Sequence, residues 1–173
     1  MEKKRILQRA KQFCEENGIN DFPVNIVELC ERQGIKVFEE YLPHNVSGFI
    51  VIQDKNFLGY NSNRVIVVNL SDSAKRRRFT IAHELAHYIL HRSETDSLYA
   101  HRDAGQNGGI ETEANLFASY ILMPTELVLK ALKEFEKAFY GGLTLEDKII
   151  YISNLFAVSE SAAQVRLSQL NIS

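Results

Sequence analysis

Apolar residues recur at helical spacing over residues 3–17, with Ile6, Ala10, Phe13 and Cys14 on one stripe, and the pattern stops before Gly18. Beyond the break at Asp21-Phe22-Pro23, Ile26, Val27 and Cys30 mark a short helix over residues 25–33 that ends at Gly34. Residues 35–41, 48–53 and 64–70 are rich in Val, Ile and Phe, with Pro43 and Asn61-Ser62-Asn63 as punctuation, and predict strands of a small, mainly antiparallel sheet. Ser71-Asp72-Ser73 offers N-cap side chains for a long helix to about His91, with Phe79, Ala82, Leu85, Ala86 and Ile89 as apolar positions. Residues 92–109 are polar and glycine-rich, which predicts a loop. Helices follow over residues 110–122, from a cap at Thr125 to about Tyr140, over 145–156 and over 160–170. The fold class is α+β, in a single domain over residues 1–173, with 144–173 as a helical pair packed on its core.

Composition narrows the function classes. Twenty Lys and Arg against 22 Asp and Glu give a net charge of −2, too little positive field for non-specific nucleic-acid binding. No apolar run reaches the roughly 18–20 residues of a membrane span, and the first dozen residues lack a signal-peptide core. The expected location is the cytoplasm, with no membrane partner. Cys14 and Cys30 sit on apolar stripes and read as reduced core residues.

The long helix carries His83-Glu84-Leu85-Ala86-His87, a His-Glu-x-x-His motif. The i, i+4 spacing puts two imidazoles on one face, about 6 Å apart along the axis, so both reach one ion. Glu84 then lies beside the ion, where a carboxylate can act as a general base on water. Zinc takes a third protein ligand at such sites. His91 is about 12 Å of helix rise from His83, too far to share the ion, and reads as a packing or supporting residue. The remaining choice is Glu111 or Glu113. Glu111 shares a helix face with Ala114, Asn115, Ala118 and Leu122, whose small members allow close approach to the histidine helix. Glu113 shares its face with the bulky Leu116, Phe117 and Tyr120, so Glu111 is chosen and Glu113 stays as the alternative.

These residues resemble a known family. His83 to His91, preceded by Arg78-Phe79-Thr80-Ile81-Ala82 and followed by the run from Glu111-Thr112-Glu113-Ala114-Asn115 to Met123-Pro124, is similar to the ImmA/IrrE family of zinc metallopeptidases. The resemblance extends to Pro23-Val24, Val67-Val68-Asn69 and Phe156-Ala157-Val158-Ser159. It implies a zincin-like core with an edge strand over the histidine helix, Zn2+ as cofactor, and Glu111 as the third ligand. It also implies a protein substrate, a helix-turn-helix repressor of a mobile element or stress response, cut by an antirepressor protease. Ala86 stands where glycine is commoner in that family.

An oxyanion donor besides the metal is expected, with Tyr88, Tyr99, His101 and Arg102 as chemically suitable residues. A peptide can add as a strand along residues 64–70. Lys75-Arg76-Arg77-Arg78 is either a solvated helix face or a dock for an acidic surface. The tail from Leu155 to Leu167 reads like a helix-turn-helix, which supplies the alternative function: a non-catalytic metal-binding regulator that binds a repressor, or DNA through this tail. Residues 144–173 hold two basic residues, Lys148 and Arg166, against three acidic ones, Glu146, Asp147 and Glu160, which disfavours DNA.

Overall fold

The computed structural model describes residues 3–53, 59–91, 108–139 and 142–172. Seven helices and three strands follow in the order α1 (Lys3–Glu16), α2 (Ile26–Arg32), β1 (Lys36–Glu40), β2 (Gly48–Ile52), β3 (Arg64–Asn69), α3 (Ala74–His91), α4 (Gly108–Leu122), α5 (Thr125–Ala138), α6 (Leu145–Leu155) and α7 (Glu160–Gln169). The fold is α+β, and local chemistry explains most of its boundaries. Gly18 and Gly34 take positive φ after α1 and α2. The Ser73 hydroxyl accepts from the N–H of Arg76 at the start of α3, and Thr144 forms a capping box with Asp147 at α6. Thr125 departs from its expected role: Pro124 is the N-cap of α5, with no side-chain cap bond, and the Thr125 hydroxyl instead accepts from Arg166. Cys14 and Cys30 are buried free thiols, each pushed up to about 12, first by desolvation.

The sheet is mixed, not mainly antiparallel. Its order is β1-β3-β2, with β1 parallel and β2 antiparallel to the central β3. Residues 65–68 of β3 are all buried, as expected of a strand covered on both faces. A peptide therefore cannot add along residues 64–70, because both edges of that strand are already paired. The edge beside α3 belongs to β2. Ser47 accepts from the N–H of Asn69, and Gln53 donates to the carbonyl of Asn63, so odd-numbered positions bond inward to β3. By the antiparallel alternation, the main-chain groups of Gly48, Ile50 and Ile52 point outward. Gly48 lies where any Cβ would come within 2.6 Å of Thr80 Cγ2 and 2.7 Å of the Val67 carbonyl, so its lack of a side chain lets β2 sit tight against α3.

Asn69, at the end of β3, is 2% exposed and organises the chain around it. Its amide N donates to the carbonyls of Leu42, Pro43 and Val46, and its Oδ1 accepts from the N–H groups of Leu42 and Ser71. One side chain thus ties the β1–β2 connection to the turn into α3.

The last helices join the same apolar cluster as the sheet and α3 through Ile152, Phe156, Val158, Ala163 and Leu167. Arg166 is 2% exposed, its guanidinium donating to the Met123 carbonyl and Thr125 Oγ1 at 2.9 Å each and lying 4.8 Å from the Tyr120 ring centroid. Arg166→Met keeps the length and removes the donors. It is expected to lower the unfolding free energy by about 2–3 kcal/mol in urea titrations, because the Met123 carbonyl loses a charged partner. A change below a few tenths would show that the contact carries no stability.

Candidate metal centre

Two helices build the site. Helix α3 brings His83 and His87 onto one face by their i, i+4 spacing, and α4 lays Glu111 across them. His83 Nε2 and His87 Nε2 lie 3.0 Å apart, and the Glu111 carboxylate oxygens stand 3.2 Å from the first and 3.4 Å from the second. Four-coordinate zinc with bonds near 2.0–2.1 Å needs ligand atoms about 3.3 Å apart. The donor set fits such an ion, with one ligand atom from each of the three residues within 4.8 Å of the others.

His83 Nδ1 meets Asn115 Oδ1 at 2.9 Å. With the ring N–H on Nδ1, Asn115 accepts it and the Nε2 lone pair faces Glu111 and His87. The sequence places Asn115 on the Glu111 face, four residues on, but does not reveal its bond to His83.

Glu84 is 2% exposed, and its Oε2 has no hydrogen-bond partner among the described residues. Burial pushes its carboxyl up to about 8, the neighbouring charge of Glu111 adds to the rise, and the outward N–H of Ile50 on β2 partly offsets it. The strand edge and the acid are therefore in direct contact.

Glu113 does not join the three-residue group. It faces His91, with Oε2 3.7 Å from Nε2, and the His91 ring lies 5.6 Å from that of His87. His91 thus packs behind the ligand face, as its distance along the helix implied. Tyr88 belongs to the apolar core, with the Arg64 guanidinium 5.9 Å from its ring centroid, and is not among the residues lining the cleft. Tyr99, His101 and Arg102 lie outside the described residues.

The basic run disperses around α3. Lys75 reaches Ser153, Arg76 reaches Ser47 and Asp72, Arg77 reaches Glu39 and the Asp72 carbonyl, and Arg78 donates to the Val24 carbonyl. Successive helix positions point about 100° apart, so the four cations take separate partners, with Lys75 and Arg76 also lining the cleft over the metal centre.

A cleft of about 800 Å³ opens over His83, Glu84 and Glu111. One wall is the segment Asn45 to Gly48, and the other is the start of α7, with Val158, Ser159, Ser161 and Ala162. The contribution of α7 was not read from the sequence. No described helix is long and apolar enough to cross a membrane.

Comparison with known proteins finds metallopeptidases among the relatives. The metallopeptidase ImmA of Bacillus subtilis (strain 168) is 23% identical over 167 residues, covering 96% of this chain and 86% of that protein. The radiation response metalloprotease IrrE of Deinococcus radiodurans is 36% identical over 77 residues, 42% of this chain and 23% of that protein. A solved Mycobacterium tuberculosis transcriptional regulator shares the fold, with a TM-score of 0.64 at 20% identity over 95% of this chain and 46% of that one. A peptidase family model described as the IrrE N-terminal-like domain matches residues 30–168, and the chain belongs to that family.

Proposed function

We propose that the chain is a zinc-dependent metalloendopeptidase in which His83, His87 and Glu111 hold the ion and Glu84 is the general base. The observation that carries this reading is the convergence of two imidazole Nε2 atoms and one carboxylate at 3.0–3.4 Å beside a buried glutamate. A zinc ion held by His83, His87 and Glu111 would supply Lewis acidity toward a scissile carbonyl and toward a water. Glu84 takes a proton from the attacking water and delivers it to the leaving amine. The outward main-chain groups of Gly48 and Ile52, together with the Ile50 carbonyl, offer hydrogen bonds to an extended peptide along the free edge of β2, the Ile50 N–H being held by Glu84.

Asn115 positions His83. Asn115→Leu is expected to weaken zinc binding by about 10- to 100-fold in chelator competition, with Asn115→Asp restoring the acceptor and most of the affinity. Equal affinities in all three proteins would remove Asn115 from the site.

The substrate we propose is a helix-turn-helix repressor, in the cytoplasm. Support comes from the family resemblance and from the relatives' names, ImmA metallopeptidase and IrrE metalloprotease. Burial of Arg166 takes one of the tail's two cations away from solvent, which favours the protease over a DNA-binding regulator. The test combines metal analysis with cleavage of a repressor encoded beside this chain. One zinc per chain with a discrete cut supports the reading; stoichiometric zinc with the repressor and unfolded casein both intact overturns the endopeptidase.

A further inference from the structure

We propose that the apolar trough between α4 and α7 is the subsite for a large apolar side chain of the peptide substrate, next to the scissile bond. This rests on the zinc-peptidase reading and specifies the substrate that site would accept. The trough is a cavity of about 870 Å³, within the size range of ligand pockets. It adjoins the cleft over the candidate metal centre, since Phe79, Asn115 and Ala162 line both.

Asn115 fixes the separation. Its side chain touches His83 at 2.9 Å and also forms the sill of the trough. An extended peptide advances about 3.3–3.6 Å per residue, so the side chain that crosses this sill belongs to a residue one or two positions from the bond at the metal.

Beyond the sill, the lining comes from Ile6 of α1, Leu116 of α4 and Val165 of α7. Val165 is 55% exposed, a large apolar residue held at the surface of an otherwise polar stretch of helix. Ser119 adds a second, independent observation. It is 7% exposed, lines the trough, and its hydroxyl has no hydrogen-bond partner among the described residues. A buried hydroxyl without a partner is costly, and a polar atom carried into the trough by the entering side chain, such as a tyrosine hydroxyl, would satisfy it. The trough surface is mainly apolar, with Lys3, Glu113 and Gln169 also contributing to its lining, which suits a large side chain that is chiefly apolar.

The proposal separates from the zinc reading by using two metal-binding probes on the zinc-loaded protein. Acetohydroxamate reports the metal centre alone, whereas N-acetyl-phenylalanine hydroxamate adds a benzyl group to reach the trough. Titration calorimetry is expected to show the benzyl compound binding about 10- to 100-fold more tightly. Val165→Glu, which puts a charge on the wall, and Ala162→Leu, which fills the sill, are each expected to reduce that ratio to about threefold or less. Methyl NMR signals of Leu116 and Ile6 are expected to shift with the benzyl compound and stay in place with acetohydroxamate. If both compounds bind and the ratio is near one, or is the same in wild type and both variants, the subsite is overturned and the metal centre stands. If neither compound binds, the zinc reading falls and this subsite with it.

Discussion

Glu84→Gln is expected to abolish peptide hydrolysis while leaving the metal in place. Glutamine keeps the size and one acceptor oxygen for the Ile50 N–H, and none of His83, His87 or Glu111 changes. What disappears is the group able to take and return a proton, a contribution of roughly 10²- to 10⁴-fold in kcat. Metal analysis and kinetics on the same preparation check this. A variant that retains zinc and cleaves at more than a tenth of the wild-type rate removes Glu84 from the chemistry. The same substitution has a second signature in the metal-free protein. There the folded-state value of about 8 lies above the ordinary carboxylate value of 4.5, so the folded form binds more protons between the two. The contribution of Glu84 to stability is fully present below about 4.5 and is lost as pH rises toward 8. Metal-free Glu84→Gln is expected to lose that decline, as urea titrations at pH 5 and pH 8 would show.

Glu111→Ala is expected to weaken zinc binding by roughly two to three decades, since one of three ligands carries a large share of the binding free energy of such sites. Glu113→Gln is expected to leave zinc affinity within a few fold, because Glu113 faces His91 and not the His83–His87 pair. Chelator competition on the two variants decides between the glutamates: the reverse ranking would assign the ligand to Glu113 and break the small-face argument. Glu111 also raises the Glu84 carboxyl, so its removal is expected to bring that group down toward its ordinary range in the metal-free chain.

Much of this was legible because it is local. The two histidines need only helical periodicity to share a face, and the choice of Glu111 followed from which neighbours were small enough for two helices to approach. Helix ends fell within one or two residues where glycine or a capping hydroxyl marked them, as at Gly18, Gly34, Ser73 and Thr144. The failures involve distant partners. Thr125 looked like a cap because its hydroxyl was the nearest one, but Arg166, forty-one residues on, takes it. The central place of β3 depends on parallel pairing with β1 across the intervening β2, which no local pattern encodes. A trace was present, since the unbroken run Val65-Ile66-Val67-Val68 marks a strand buried on both faces. The cations 75–78, adjacent in sequence, take four different sets of partners because successive helix positions point apart.

Asn69 shows how little separates a formed cleft wall from a lost one. Its single amide nitrogen faces three carbonyl oxygens, of Leu42, Pro43 and Val46, at 2.9–3.3 Å, and the segment it holds continues into the wall at Asn45 to Gly48. Aspartate has the same outline and nearly the same volume, yet it would set a carboxylate oxygen against those three acceptors in a site closed to water. The three contacts to carbonyls would change sign with no atom out of place, while the two bonds accepted from the Leu42 and Ser71 N–H groups would persist. The shape of the cleft wall thus depends on the polarity of one atom, and an isosteric exchange would disturb it more than many changes of size.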